Sequence, residues 1–312
     1  MKRMSSPGAG VELVCKHLRL LPANCARHVD TLRLVIREWM SQNNVRHVVI
    51  GLSGGIDSAV AAALYASVLP RDALTLVNLP GPFTSQKTRG LAQHLADNLR
   101  VPLHTLDITR GVNATRDELI AAGFEITPPV FENIQARQRG HLLAAIAASR
   151  GGVFACNTNK TEAAVGYGTL YGDIAGWLSL LGDLWKGEVY ALGRDLNAEN
   201  PVIPEDIFTV KPSAELSAAQ DVTQNKGDPF DYPYHDALFR AWVERGETPK
   251  TCLAAWQAGD LATRLGFHGS VPFASEDAFA ADMRRWWNLY RGMGAVKRLQ
   301  APPVVVLSAW PL

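Results

Sequence analysis

The spacing of apolar residues changes several times along the chain, and each change marks an element. His47-Val48-Val49-Ile50-Gly51-Leu52 is an unbroken apolar run of strand length, the pattern of a parallel strand buried on both faces. Ala59 to Leu69, dominated by small residues, reads as a closely packed helix. Residues 73–79 and 102–108 repeat the strand pattern. Between them a Pro80-Gly81-Pro82 turn leads into a helix over 85–99 with Ser85 as its N-cap. The polar stretch 109–130 reads as a connection crossing to the far side of the sheet. A helix over 131–149 follows, with Leu142, Leu143, Ile146 and Ala147 on one face, and 153–157 is a fourth strand.

Upstream, residues 11–42 carry apolar positions at helical spacing. Leu32, Val35, Ile36 and Trp39 form one stripe, to be packed on the domain or on a partner. Downstream, helices are expected over 185–196, 234–244, 253–265 and 276–291. The proline-rich segment 199–235 reads as a flexible lid, and 304–307 as a short apolar strand. Strands alternating with helices imply an α/β fold: a doubly wound parallel sheet flanked by helices, with additional C-terminal helices. The expected division is an N-terminal helical extension (1–44), a main domain (45–302) and a C-terminal tail (303–312).

Composition narrows the partners. Lys+Arg number 31 against 30 Asp+Glu in 312 residues, so nothing draws the chain as a whole to nucleic acid or to anionic lipid. Cys15, Cys25, Cys156 and Cys252 are far apart, which favours reduced thiols over a zinc or redox motif. Met1 to Gly10 is polar and no sustained apolar segment follows, so a soluble cytoplasmic protein without membrane contact is expected.

The chemistry is concentrated after the first strand, in Ser53-Gly54-Gly55-Ile56-Asp57-Ser58. Two glycines let backbone amides approach an anion and permit positive φ, and the helix beginning near Asp57 contributes its dipole and unpaired N–H groups. Ser53 and Ser58 add hydroxyls; Asp57 fits beside phosphates if it holds a divalent cation. No Gly-Lys-Ser/Thr follows, so this is no Walker A loop, and the glycine spacing is not that of a dinucleotide-binding Rossmann turn. The turn resembles the pyrophosphate loop of the ATP pyrophosphatase (adenine nucleotide alpha-hydrolase-like) superfamily.

Glu162 also follows a strand, the fourth. If the first and fourth strands are neighbours, Asp57 and Glu162 converge; taken alone, Glu162 reads equally as a solvated first-turn residue. In Glu132-Asn133-Ile134-Gln135-Ala136-Arg137-Gln138-Arg139, Asn133 and Arg137 share a helix face. Arg139 points about 200° away from Arg137 at roughly 100° per residue, so Arg137 is expected at the ligand and Arg139 is not.

The Glu132 to Gly140 stretch, then Asn159-Lys160-Thr161-Glu162-Ala163-Ala164-Val165-Gly166-Tyr167-Gly168-Thr169-Leu170-Tyr171-Gly172-Asp173, then Lys211-Pro212-Ser213-Ala214-Glu215-Leu216 resemble, in order, the synthetase domain of NAD synthetases. The likeness is strongest to the type fused to a glutaminase domain, and runs from about residue 30 to 302. It implies an ATP-dependent ligase that adenylates deamido-NAD and lets ammonia displace AMP, giving NAD. Gly51, Leu52, Ser53, Gly54, Gly55, Ile56, Asp57 and Ser58 would hold the pyrophosphate, and Asp57 and Glu162 a Mg²⁺ ion. Asn157, Thr158, Lys186 and Ser213 would contact ATP. Asn133, Arg137, Trp177 and Lys297 would contact deamido-NAD, with Asp57, Glu162 and Lys186 serving catalysis.

The resemblance also implies a homodimer, for which residues 11–42 are a candidate contact. With no nitrilase-like module in 312 residues, ammonia is expected to arrive free or from a separate glutaminase subunit. Two positions depart from the family pattern. Asn157-Thr158 stands where the family has threonine first, and Val296-Lys297-Arg298-Leu299 lacks the aromatic or histidine and the second arginine. The competing readings are a superfamily ligase or thiolase with another acceptor, and a non-catalytic nucleotide-binding subunit.

Overall fold

A computed structural model describes residues 28–312, together with the backbone of two short strands, β1 (Glu12–Val14) and β2 (His17–Arg19). Cys15, Cys25 and Met1 to Gly10 lie outside the described residues. The helix expected over 11–42 is found at α1 (His28–Gln42), while the described residues ahead of it are strands.

The main sheet is formed by β3 (Val48–Gly51), β4 (Leu74–Asn78), β5 (Leu103–Thr105) and β6 (Val153–Phe154), in the order β5-β4-β3-β6, with every neighbouring pair parallel. Helices cover both faces, and the alternation of side chains along the strands decides which face each residue serves. Val48, Ile50, Leu74 and Leu76 join one core with α1, α2 (Ile56–Ala66), α3 (Gln86–Leu99) and the later α7 (Lys186–Glu199). Val49 and Val77 point the other way, into a core with α4 (Thr109–Ala121) and α5 (Pro128–Ser149). Ser85 caps α3 as expected, its hydroxyl accepting from the Thr88 N–H at 3.2 Å.

The chain then forms the short α6 (Lys160–Val165), α7, α8 (Glu205–Thr209), and a helical cap of α9 (Tyr232–Arg245), α10 (Pro249–Gln257), α11 (Leu261–Leu265) and α12 (Glu276–Arg291). The cap has its own aromatic core of Phe230, Tyr234, Phe239, Trp242, Phe279 and Trp286, into which Ala164 and Val165 of α6 also pack. The chain closes with α13 (Met293–Arg298) and β7 (Val304–Val306), which pairs parallel to β2. Among the described residues, no helix is long and apolar enough to cross a membrane.

Several expectations need correction. The connection read over 109–130 contains α4, whose only buried residue is Val112. α5 starts at Pro128 rather than 131, because prolines are tolerated in a first helical turn where the N–H is unpaired anyway. The helix read over 253–265 is two helices broken at Gly259, where φ is +74°. The segment 199–235 is no free lid: Ile203, Ile207, Val210 and Val222 are buried in the main core. The stripe Leu32, Val35 and Ile36 is fully buried in the chain's own core, packed on the domain as one of the two readings had it.

Candidate functional site

The site lies where the chain changes direction across the sheet. From β3 it proceeds to β4 and β5 on one side, then returns to place β6 on the other, and a crevice opens beyond the carboxyl ends of β3 and β6. A cavity of about 540 Å³ fills this crevice. Its walls come from the turn after β3, the ends of β4 and β6, one face of α5, the loop after α6, and residues 210–228.

The glycine turn is held open by its own hydrogen bonds. Gly54 has φ +89°, and a Cβ there would lie 2.1 Å from the Thr88 carbonyl oxygen, so only glycine fits. Gly55 does not need positive φ: it is the N-cap of α2 at φ −90°. Ser58 Oγ donates to the Gly55 carbonyl and accepts from Ser53 N–H at 3.2 Å, while Gly55 N–H donates to Ser53 Oγ. The first turn of α2 faces the cavity with Ile56, Asp57 and Ser58 on its wall.

Three charged groups from three elements converge there. Lys186, the first residue of α7, places its ammonium 2.5 Å from Asp57 Oδ2 and 3.4 Å from Glu162 Oε1. The expected neighbouring of β3 and β6 is what brings Asp57 and Glu162 together. Asn159 holds the pair in place: as N-cap of α6 it accepts from Glu162 N–H, and its amide donates to Asp57 Oδ1 at 2.8 Å. Burial, with Asp57 and Asp228 adding to it against the opposing Lys186, pushes the Glu162 carboxyl up to about 8. Burial works against the Lys186 ammonium, but Asp57, Glu162 and Asp228 outweigh it and hold the group above its usual range.

Two carboxylates that converge on one point, one of them pushed up mainly by burial, suit a divalent cation. Among the described residues no group of three or more His, Cys, Asp or Glu is arranged to hold a metal. Asp57 and Glu162 are the two carboxylates of this site that could hold a divalent cation.

The other residues singled out from the sequence divide between cavity and surface. Asn157 Nδ2 donates to the Gly51 carbonyl, and its Oδ1 is buried with no partner among the described residues, an acceptor that a bound donor would satisfy. Thr158 donates to the Asp173 carbonyl, and Ser213 to the Gln220 carbonyl at 2.6 Å. Asn133 and Lys297 also line the cavity; Lys297 donates to the Gly166 and Gly168 carbonyls and Asn133 accepts from Thr169. Arg137 and Trp177 are not on the walls. Arg137 is exposed and donates to the Leu170 carbonyl, and Trp177 stands edge-on to Trp39 at 5.7 Å.

Arg139 does line the cavity, contrary to expectation, donating to the Leu79 carbonyl at 2.9 Å. The lining face of α5 runs from Arg139 through Glu132, Leu143, Ala136 and Gly140 to Asn133 at its edge, and Arg137 lies just beyond that edge. Asn159, Glu215 and Asp228 are given no role by the sequence, although Asn159 and Glu215 stand within the quoted motifs, and Arg139 is expected away from the ligand. Asn159 also carries a local signal, the Asn-x-x-Glu capping box at 159–162.

Residues 28–260 match the family model described as NAD synthase. Glutamine-dependent NAD(+) synthetases of Thermotoga maritima and Synechocystis sp. are 36% and 35% identical over 220 and 228 residues, covering 69% and 72% of this chain. The same alignments cover 37% and 40% of those proteins, so the chain spans about two fifths of the length of these relatives. Among solved structures, a glutamine-dependent NAD(+) synthetase from Cytophaga hutchinsonii shares the fold with TM-score 0.73 at 16% identity, over 91% of this chain and 51% of that one. An NMN synthetase from Francisella tularensis gives TM-score 0.60 at 25% identity, over 79% and 98%. The parallel sheet and its flanking helices are thus the adenine nucleotide alpha-hydrolase fold, and the chain belongs to the NAD synthase family.

Proposed function

We propose that this chain catalyses the ATP-dependent amidation of deamido-NAD to NAD. The observation that carries the reading is the convergence of Asp57, Glu162 and Lys186 beside a glycine turn on one cavity wall. The substrate carboxylate attacks the α-phosphorus of ATP and pyrophosphate leaves. Ammonia then attacks the acyl carbon, AMP leaves, and the nitrogen loses a proton. No protein nucleophile is required, only charge neutralisation, alignment and exclusion of water.

The turn amides and the α2 N-terminus bind the departing pyrophosphate. Lys186 exchanges its carboxylate partners for phosphate oxygens as the nucleotide enters. Asp57 and Glu162 would hold Mg²⁺, which supplies further neutralisation of phosphate charge when bound. Val210, Ser213, Leu216 and Asp228 come from the packed 199–235 segment and form the wall that keeps water from the adenylate. ATP supply places the reaction in the cytoplasm, and a homodimer is the proposed assembly, testable by sedimentation.

A direct test supplies the purified chain with Mg·ATP, deamido-NAD and either ammonium or glutamine, and separates the products chromatographically. NAD with equal AMP and pyrophosphate is expected with ammonium; turnover with glutamine alone would give the chain a glutaminase activity as well. ADP in place of AMP would overturn the reading. The likeness to an NMN synthetase over nearly all of that protein favours one second reading, a mononucleotide acid as acceptor. Parallel assays with nicotinate mononucleotide decide between the two.

A further inference from the structure

Asp236, in the second turn of α9, is not on the cavity wall, yet its carboxylate is shared between the first turns of the two helices that carry Glu162 and Lys186. Oδ1 accepts from Thr161 Oγ1 at 2.5 Å, and Oδ2 from the Gly187 N–H at 2.8 Å. Thr161 Oγ1 accepts in turn from the Lys186 N–H at 2.9 Å. Thr161 directly precedes Glu162, and Gly187 directly follows Lys186.

The arrangement has a clear physical basis. A helix the length of α6, six residues, has little stability of its own, so its position is dictated by what holds it. The first turn of α7 presents unpaired N–H groups and a positive dipole end, which the Asp236 carboxylate meets at the Gly187 N–H, while its other oxygen takes the Thr161 hydroxyl of α6. Burial pushes the Asp236 carboxyl up, while Thr161, Gly187, Lys186 and Arg240 pull it back down.

We propose that Asp236, acting through Thr161, is a positioning residue for adenylation: it fixes the spacing of Glu162 and Lys186 by clamping the starts of α6 and α7 to α9. This rests on the roles proposed above for those two groups. A residue that merely stabilised the fold would lower the melting temperature without changing the reaction. A positioning residue changes kcat by more than it changes KM for ATP.

Thr161→Val removes the hydroxyl at nearly constant shape, and Thr161→Ser retains it. Asp236→Asn presents an NH₂ to one of the two donors, so only one bond survives; it serves if Thr161→Val does not fold. In assays of pyrophosphate release, Thr161→Val and Asp236→Asn are expected to lower kcat by about tenfold to 100-fold, with KM for ATP within about threefold of the unaltered protein. Thr161→Ser should restore kcat. Unchanged kcat in both variants, whatever their melting temperatures, would overturn the proposal. If the unaltered chain fails to turn over any acceptor, the proposed function falls but the positioning claim is still decided by crystal structures of the same variants. Lys186 displaced from Asp57 supports it, and an unmoved Lys186–Asp57 contact overturns it.

Discussion

The Lys186 ammonium occupies the point on which the Asp57 and Glu162 carboxylates converge, 2.5 Å from the first and 3.4 Å from the second. In the absence of nucleotide, the lysine thus supplies the positive charge that this acidic corner requires. Lys186→Met would leave Asp57, Glu162 and the nearby Asp228 without it. Turnover is expected to fall by about 100-fold or more, in line with removal of a preorganised charge-stabilising group. The variant should also gain more thermal stability from millimolar Mg²⁺ than the unaltered protein does, because the cation then relieves unpaired carboxylates. Initial rates and melting curves with and without magnesium check both statements; equal stabilisation of the two proteins would argue that the carboxylates do not hold the ion.

Gly54 allows a second prediction. Its φ of +89° costs an alanine about 1–2 kcal/mol, and a Cβ would stand 2.1 Å from the Thr88 carbonyl oxygen, which is backbone and cannot swing aside. Gly54→Ala must therefore push the turn away from α3 and spoil the amide cradle. KM for ATP is expected to rise by at least about tenfold, a loss of binding shared by ground and transition states, with the circular dichroism spectrum preserved. An unchanged KM would show that the turn does not bind the nucleotide.

The turn and its flanking elements could be read from sequence because local rules act together there. The apolar run of β3, the glycine pair and the small-residue run of α2 each point to the same strand, turn and helix, and Ser85 behaved as a cap because capping is local. α4 was missed for the opposite reason: it buries one side chain, Val112, so almost no apolar stripe marks it. The positions of Arg137 and Arg139 relative to the cavity could not be read for another reason. Periodicity correctly separated their faces, but which face meets the cavity depends on the loop around Tyr171 and Gly172, packed on Gly140 and Ala136 from a distant part of the chain. The clamp at Asp236 has the same origin, since it joins α9 to partners 49 and 75 residues earlier in the sequence.

The chain's end is tied to the site's scaffold through a buried charge pair, and this gives a stability prediction. Lys160 and Asp183 are both fully buried, with Nζ to Oδ1 at 2.8 Å; Asp183 also accepts from the Leu307 and Ser308 N–H groups, and Lys160 donates to the Trp310 carbonyl. Asp183→Ala leaves the ammonium and two amides without their acceptor. Breaking such a pair costs about 3–5 kcal/mol, which for a protein of this size lowers the melting temperature by at least about 6 °C. Differential scanning calorimetry measures it; a shift under about 2 °C would mean that water, or Glu244 with its Oε1 3.8 Å from the Lys160 ammonium, replaces the lost carboxylate.

The two arginines of α5 supply the last prediction. Arg139 spans from the Leu79 carbonyl to the cavity and the Thr84 hydroxyl, with burial lowering its guanidinium to about 10 against the pull of Asp173 and Glu215. A lysine cannot reproduce that fork, because its ammonium is a single point of charge. Arg139→Lys is therefore expected to raise KM for ATP or for the acid by about tenfold or more, while the conservative change keeps the charge. Arg137→Ala removes an exposed side chain bonded to the Leu170 carbonyl, so stability should change by no more than about 0.5 kcal/mol. If Arg137 contacts the acid, as the family resemblance implies, KM for the acid rises in Arg137→Ala and KM for ATP does not. Steady-state kinetics of the two variants, with each substrate varied in turn, separate these outcomes. A rise confined to Arg137→Ala, with Arg139→Lys indistinguishable from the unaltered protein, would place the acid outside the cavity and leave Arg139 as a strut between α5 and the end of β4.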